Sequence, residues 1–138
     1  TTLANALYHT GYVRESFQQA VLEREAHYPT GLRTAQVPVA LPHTEKEHVL
    51  TPAVAIALLK QPVNFGEMGT DGQVVPVEIV FMLCIREPDE QVNWLSRLVS
   101  TFQLEGFLAL LKSSKDPAAC YQHLLDALEF IRLEEEQK

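Results

Sequence analysis

The run Val74–Ile85 constrains the fold more than any other part of the chain, because it is almost continuously apolar and rich in Val and Ile. A second run of this kind, Pro52–Leu59, lies upstream, and Pro62 and Pro88 follow the two runs. Near-continuous apolar runs of this length are typical of strands that are covered on both faces. The sequence therefore predicts two interior strands.

Helical spacing of apolar residues comes before and after these runs. The segment from Arg14 to Tyr28 predicts an amphipathic helix that ends before Pro29. Its face is formed by residues at helical spacing, namely Phe17, Val21, Leu22 and Glu25. Arg24 then lies in the last helical turn.

The C-terminal part of the chain changes to a helical period from Asp89 onward, with one face formed by Val92, Leu95, Leu98, Val99 and Phe102. Further helices are predicted at Leu104–Leu111 and Ala118–Ile131. Asp116 is suited to cap the last helix, with Pro117 at its first position. We expect the acidic tail, residues 134–138, to be a solvated, fraying end.

This order of elements predicts an α/β fold in which helices flank a mixed central β-sheet. The length of 138 residues suits one well-buried core, so residues 1–138 are expected to form a single domain. The glycine-rich connection Asn64–Gly72 is interpreted as turns, because no Lys-Ser or Lys-Thr follows it to make a phosphate-binding loop.

Composition narrows the class of protein further. A formal net charge of −7 argues against nucleic acid as a partner and favours a basic protein. No apolar run approaches the roughly 20 residues that span a bilayer. The N-terminal residues lack the plan of a secretory signal. We expect a soluble, cytoplasmic protein without direct membrane insertion, in which Cys84 and Cys120 are reduced and buried.

A candidate reactive residue follows a short apolar strand. In Val39-Ala40-Leu41-Pro42-His43 the proline ends the strand and the histidine comes next. His43 should therefore sit on the rim of the sheet, anchored by a buried strand but still reachable. An imidazole is both nucleophilic and partly neutral near pH 7.

These residues resemble the phosphorylation-site region of the type-2 EIIA domains, the mannitol/fructose class of the bacterial phosphoenolpyruvate-dependent sugar phosphotransferase system. The similarity includes Arg24-Glu25 and the Val39–His43 run. Two features look most like the galactitol branch of the class: the Pro29–Leu32 segment and Thr44-Glu45 after the histidine. Length and element order extend the resemblance to nearly the whole chain.

The resemblance implies a phosphocarrier. His43 would accept phosphate from phospho-HPr on Nε2, with Nδ1 held by a hydrogen bond, and would pass it to a cysteine of a IIB component. The IIB protein would phosphorylate a hexitol, such as galactitol, during uptake through a membrane IIC component. This chemistry requires no metal or organic cofactor.

Arg24 is the leading candidate to stabilise the transferring phosphoryl group, because a guanidinium offers a charged, planar fork to its oxygens. The alternative interpretation is a surface ion pair with Glu23, Glu25 or the neighbours of Arg14. His27, three residues after Arg24, could share its helix face.

Gln91 and His48 are secondary candidates for the site. In mannitol and fructose members a second histidine follows a Glu at the start of the helix after the apolar strand. The corresponding segment here reads Glu90-Gln91-Val92, so Gln91 stands where those members have the histidine. A carboxamide can donate a hydrogen bond there but carries no charge. His48 could supply part of the missing charge, or be an ordinary, partly exposed residue. His9 and His123 are interpreted as structural.

Other classes of protein fit the sequence less well. Cys84 lies inside an apolar run, unlike the nucleophile of a thiol hydrolase, and His43 and His48 lack the spacing of a helical zinc motif. A regulatory, nitrogen-type IIA phosphoprotein that is not coupled to transport remains an alternative. It would share both the fold and the phosphorylated histidine.

Overall fold

The computed structural model describes residues 2–86 and 96–136. The helices are α1 (Thr2–His9), α2 (Phe17–His27), α3 (Phe107–Lys112) and α4 (Pro117–Glu136), with a 3-10 turn at Lys46–His48 and helical backbone at 96–101. The strands are β1 (Gly31–Leu32), β2 (Val39–Ala40), β3 (Ala53–Gly66) and β4 (Val74–Cys84).

Strand β4 lies in the interior of a mixed sheet with the order β1-β2-β4-β3. It runs parallel to β2 and antiparallel to β3, while β1 and β2 are antiparallel. From Ile79 to Cys84 every β4 side chain but one is at least 96% buried, as expected for a strand covered on both faces. The prediction of an interior strand is confirmed for β4, and coverage on both faces holds from Ile79 onward, whereas Val74 and Pro76 are exposed.

Strand β3 corrects the second strand prediction. It is an edge strand, and it extends from Ala53 to Gly66 rather than over Pro52–Leu59. The pairing with β4 shifts register between Leu58 and Val63, so Pro62 falls where the ladder is interrupted. The ladder then resumes, because a long antiparallel partner continues to offer hydrogen bonds.

The glycine-rich connection is correspondingly shorter than predicted. Phe65 and Gly66 pair with Val75 and Val74, so the turn begins only after them. Gly69 and Gly72 have φ values of 76° and 88°, in the left-handed region that favours glycine.

Alternate side chains of β4 pack into two different hydrophobic layers. Ile79, Phe81 and Leu83 face the C-terminal helices, in one cluster with Leu98, Phe102, Leu108, Leu111 and Leu124. Met82 and Cys84 face the N-terminal helices, in a second cluster with Ala4, Leu7, Phe17 and Val21. Helices therefore flank the mixed sheet on both sides, which confirms the predicted α/β fold.

Helix α2 begins at Phe17 and ends at His27, slightly inside the predicted bounds. Phe17 and Val21 are buried as expected, but Leu22 is 46% exposed and lies off the packed face. Tyr28 follows the helix and precedes Pro29, which is consistent with proline's restriction of the preceding residue.

The last helix starts as predicted and ends later. The Ala119 N–H donates to Oδ1 of Asp116 at 2.8 Å, so Asp116 caps α4 and Pro117 is its first residue. Residues 134–136 are exposed, as expected of a solvated tail, but they are helical, so α4 extends beyond the predicted end at Ile131. Arg97 pairs with Glu135 and Arg132 with Glu136 in this final turn.

The predicted helix from Asp89 lies partly outside the described residues. Leu98 and Phe102, at its far end, are 1% and 5% exposed and belong to the core. Between residues 2 and 86 and between 96 and 136, no helix combines the length and the apolar character that crossing a bilayer requires.

Candidate functional site

His43 lies just past the end of β2, as the strand-Pro-His pattern predicts. Val39 and Ala40 pair in parallel with Ile79 and Val80 of β4. The alignment continues after the strand, because the Leu83 N–H donates to the Pro42 carbonyl at 2.9 Å. Leu41 and Pro42 are buried, whereas His43 is only partly buried. The interior strand thus holds the backbone and presents the imidazole at the sheet rim.

A single hydrogen bond sets the tautomer of the His43 ring. Nδ1 lies 2.8 Å from the carbonyl oxygen of Leu41. A carbonyl only accepts, so Nδ1 carries the proton, and in the neutral ring Nε2 holds the lone pair. Nδ1 is also the nitrogen that the resemblance predicts to be held. The arrangement suits Nε2 for nucleophilic attack.

Arg24 makes an ion pair that the sequence interpretation did not anticipate. Its Nη1 donates to Oε1 of Glu45 at 3.0 Å, across 21 positions of sequence. The alternative interpretation named Glu23 and Glu25 as partners; it is wrong in that respect. The carboxylate of Glu25 instead accepts two hydrogen bonds from Thr30. Arg24 is thereby joined to the segment that begins at His43.

Glu45 is held by more than the ion pair. The Thr44 hydroxyl donates to its Oε2 at 2.8 Å. This hydrogen bond, helped by the backbone N–H of Glu45 and by the Arg24 charge, lowers the pKa of the Glu45 carboxyl despite partial desolvation. Glu45 is therefore an anion beside Arg24 at neutral pH.

The Arg24 guanidinium also contacts an aromatic ring. Its Cζ lies 5.3 Å from the centroid of the Tyr28 ring, within the range of a cation–π interaction. Within 2–86 and 96–136, the buried Nε of Arg24 has no hydrogen-bond partner, and no hydrogen bond or ion pair joins Arg24 to His43. The structure brings Arg24 to the segment of His43, by way of Glu45.

His48 lines a shallow depression of about 450 Å³ together with Arg24 and Glu45. Its Nδ1 is 2.8 Å from Oγ of Ser16, at the start of α2. His27 lines the same depression, as expected of a residue on the Arg24 face, and its Nδ1 donates to the Glu23 carbonyl at 2.9 Å. Two imidazoles and a guanidinium therefore border one surface next to Glu45.

Gln91, the remaining site candidate, lies outside the described residues. The two cysteines are free and buried, as predicted. Burial raises the pKa of the Cys84 thiol to about 12 and also raises that of Cys120. Thiols with raised pKa values are poor nucleophiles at neutral pH, which agrees with a structural role for both.

Sequence reasoning missed two residues that shape the site, Glu45 and Thr30. Thr44-Glu45 directly follows the histidine and carries the only signal that could have indicated the partner of Arg24. Thr30 is 4% exposed and makes its hydrogen bonds to Glu25 and Leu41. The bonding role of a buried hydroxyl of this kind can be recognised only when the position of its segment in the fold is known.

The fold and the site together define an α/β protein that presents one imidazole nitrogen at the end of an interior strand, with an Arg–Glu ion pair joined to the segment that follows it. Residues 1–127 match the family model of the phosphoenolpyruvate-dependent sugar phosphotransferase system, EIIA 2. The chain belongs to this family.

Curated relatives include the galactitol-specific EIIA component of Escherichia coli (strain K12). It is 30% identical over 103 residues, which cover 75% of this chain and 68% of the relative. The chain is similar to a sugar-specific component of the phosphotransferase system, as the resemblance of its motifs to the galactitol branch predicts.

Solved structures show the same fold. The crystal structure of IIA mannitol from Escherichia coli has a TM-score of 0.69 at 24% identity and covers 92% of this chain and 84% of its own. The complex of Escherichia coli enzyme IIAMtl with phosphorylated enzyme IIBMtl gives a TM-score of 0.70 at 23% identity, covering 93% and 83%.

Proposed function

We propose that the chain is a phosphocarrier that takes a phosphoryl group from phospho-HPr onto Nε2 of His43 and gives it to a cysteine of a IIB component. The IIB protein would use it to phosphorylate a hexitol, with galactitol as the first candidate, during uptake through a IIC transporter. Residues 1–138 would form one EIIA domain for this task. Membership of the family and the galactitol-specific relative support the proposal.

The observation that carries the proposal is the hydrogen bond from His43 Nδ1 to the Leu41 carbonyl. It leaves the Nε2 lone pair available, which is the requirement for a histidine that must attack phosphorus. As the ring becomes positive during attack, the Nδ1–H bond to the carbonyl strengthens and stabilises the developing charge.

In the first transfer, the Nε2 lone pair of His43 forms a bond to the phosphorus of the donor phosphohistidine. The donor P–N bond breaks, and its electron pair returns to the donor imidazole. The displacement is in line, so catalysis consists mainly of positioning and of stabilising charge on the three phosphoryl oxygens.

In the second transfer, a thiolate of the IIB protein attacks the same phosphorus. A P–S bond forms, the P–N bond to His43 breaks, and the electron pair returns to Nε2. The Nδ1 proton stays in place through both steps, so the carrier ends in its starting tautomer. Neither transfer needs a metal or an organic cofactor.

Arg24 is proposed to stabilise the transferring group. Its guanidinium is held at the end of α2 by Glu45 and by the Tyr28 ring. A partly exposed Arg–Glu pair of this kind is weak, so a phosphoryl group with a larger negative charge can compete with Glu45 for the guanidinium. His48 and His27 border the same surface and can add positive charge when protonated.

The proposal is tested by the intact mass of the protein after incubation with phosphoenolpyruvate, Enzyme I and HPr. The wild type should gain one phosphoryl group, and His43→Gln should gain none while keeping its fold, because a rim residue contributes little packing. His123→Gln, on helix α4, is the matched control. A full phosphoryl adduct on His43→Gln would overturn the assignment.

The regulatory alternative predicts the same adduct but a different acceptor. Incubation of the phosphorylated protein with a galactitol-type IIB protein separates the two functions. Transfer to the IIB cysteine supports a role in transport, whereas retention of the phosphoryl group favours a regulatory phosphoprotein.

A further inference from the structure

Thr30 links a carboxylate to the backbone next to His43. It is 4% exposed, and its N–H and hydroxyl donate to the two oxygens of the Glu25 carboxylate at 2.8 and 2.7 Å. Its Oγ1 also accepts a hydrogen bond from the Leu41 N–H at 3.1 Å. Because the Thr30 hydroxyl proton is committed to Glu25, an oxygen lone pair is directed at Leu41.

Leu41 is held on both sides of its Cα. Its N–H is bound by Thr30, and its carbonyl accepts the Nδ1–H of His43. The following carbonyl, that of Pro42, is fixed by Leu83 of β4. With both neighbouring peptide groups restrained, the direction of the Leu41 carbonyl is set by the network rather than by water.

The position of Thr30 follows from the register of the sheet. Gly31 pairs with Ala40 and Leu32 with Val39, so the next pair outward would be Thr30 and Leu41. At that point β2 has ended, and the Thr30 side chain accepts the Leu41 N–H. The Thr30 side chain therefore supplies the hydrogen bond that the ladder no longer provides at Leu41, the residue whose carbonyl binds the His43 imidazole.

We propose that Thr30, with Glu25, is a positioning residue for phosphoryl transfer: it fixes the Leu41 carbonyl and, through it, the tautomer and orientation of His43. This inference rests on the proposed function. Removing the hydroxyl frees Leu41 to rotate and weakens the acceptor for Nδ1–H. The Nε2–H tautomer, which has no lone pair on the attacking nitrogen, then becomes populated.

The test compares Thr30→Val, which keeps the side-chain shape, with Thr30→Ser, which keeps the hydroxyl. Thr101→Val is the matched control, because Thr101 is fully buried and its hydroxyl donates to the Leu98 carbonyl. Long-range ¹H–¹⁵N spectra at about pH 9, where an ordinary imidazole is neutral, report which ring nitrogen of His43 is protonated. The His43 signals are assigned by their loss in His43→Gln.

The wild type, Thr30→Ser and Thr101→Val should show the Nδ1–H form. Thr30→Val should show a mixture with Nε2–H. Its transfer rate from phospho-HPr should fall roughly 10- to 100-fold at saturating donor, the usual effect of losing a group that orients a reacting histidine. Thr30→Ser should recover most of that rate, which a merely structural loss would not explain.

The proposal is overturned if Thr30→Val and Thr101→Val have the same tautomer and the same rate. Should Thr30→Val fail to fold, Thr30→Ala decides the question, because it removes the same hydroxyl acceptor from the Leu41 N–H with a smaller side chain; an unchanged tautomer in that variant overturns the proposal. The spectra need no phosphate donor. If Thr30→Val shows the tautomer mixture but the wild type is never phosphorylated, only the proposed function is refuted.

Discussion

Arg24 and Glu45 connect the last turn of α2 to the segment that follows His43, with Nη1 of Arg24 3.0 Å from Oε1 of Glu45. The pair places a carboxylate two positions after the proposed nucleophile. Both phosphoryl oxygens and a carboxylate are ligands for a guanidinium. Glu45 therefore binds the Arg24 guanidinium that the phosphoryl group on His43 would contact in the phosphorylated protein.

Glu45→Gln should stabilise the phosphorylated form, because it removes a negative charge near phosphohistidine and releases Arg24. For a charge pair this exposed we expect the phosphorylation equilibrium with HPr to move about 2- to 5-fold toward the carrier. Transfer onward to a IIB protein should slow by a similar factor. The equilibrium is measured from the phosphorylated fractions of both proteins.

Glu47→Gln is the control for this prediction. It changes the net charge equally, and Glu47 is an exposed residue of the neighbouring 3-10 turn. An equal shift in both variants would mean that overall charge, rather than the pairing with Arg24, sets the equilibrium.

The lowered pKa of Glu45 predicts a small acid-dependent contribution to stability. A carboxyl whose pKa is lower in the folded state stabilises the fold above its unfolded pKa, and the contribution disappears as pH falls through the folded value. The difference in Tm between wild type and Glu45→Gln should therefore be present at pH 7 and shrink below about pH 4, near the ordinary pKa of glutamate. A difference that grows on acidification would contradict the pKa shift. Thermal unfolding between these pH values is the measurement.

Much of the location of the site could be predicted from local sequence. Pro42 ends a buried strand, so His43 has to emerge at a strand end, and Pro29 limits α2. Asp116-Pro117 begins α4 for reasons contained within a few residues. These features depend on backbone geometry, which neighbouring residues determine.

The remaining features depend on contacts between distant segments. Glu45 meets Arg24 only because the 3-10 turn packs against α2, and Thr30 meets Leu41 only because β1 pairs with β2. Likewise the length of β3 depends on β4, which continues to pair with it beyond Pro62. Periodicity contains no information about such partners.

Gly31→Ala should be destabilising for a reason that links the fold to the site. A Cβ at Gly31 would lie 2.5 Å from the backbone oxygen of Gly66, a distance that real Cβ atoms essentially never show. Because backbone atoms have to move, we expect a loss of about 1–3 kcal/mol in the free energy of unfolding. Displacing β1 also displaces Thr30, so the variant should lose phosphoryl-transfer rate at temperatures where it is still folded. Urea unfolding of Gly31→Ala and wild type measures the first effect. Equal free energies of unfolding for the two proteins would contradict the close approach.

Gln91 yields a prediction from the resemblance of its segment to the mannitol and fructose members of the class. If its carboxamide donates to the phosphoryl group, Gln91→His should preserve transfer and make the rate depend more strongly on pH between about 6 and 8, where an imidazole changes charge. Gln91→Leu, which has no donor, should be slower. Rates from phospho-HPr across this pH range are the measurement. Equal rates for Gln91→Leu and wild type would remove Gln91 from the site.

Arg24→Lys separates the role of charge from that of geometry. An ammonium keeps the positive charge and can still pair with Glu45, but it loses the planar fork and the contact of the guanidinium with the Tyr28 ring. If Arg24 stabilises the transferring phosphoryl group, the rate from phospho-HPr should fall by about 10-fold or more, as expected for the loss of a bidentate contact made in the transition state. The free energy of unfolding should change by less than about 1 kcal/mol, the usual limit for an exposed ion pair.

Rapid-quench rates of phosphoryl transfer and urea unfolding measure these two quantities. Arg33→Lys is the control, because Arg33 forms its ion pair with Glu67 instead. Equal rates in wild type and both variants would leave Arg24 as a surface ion pair.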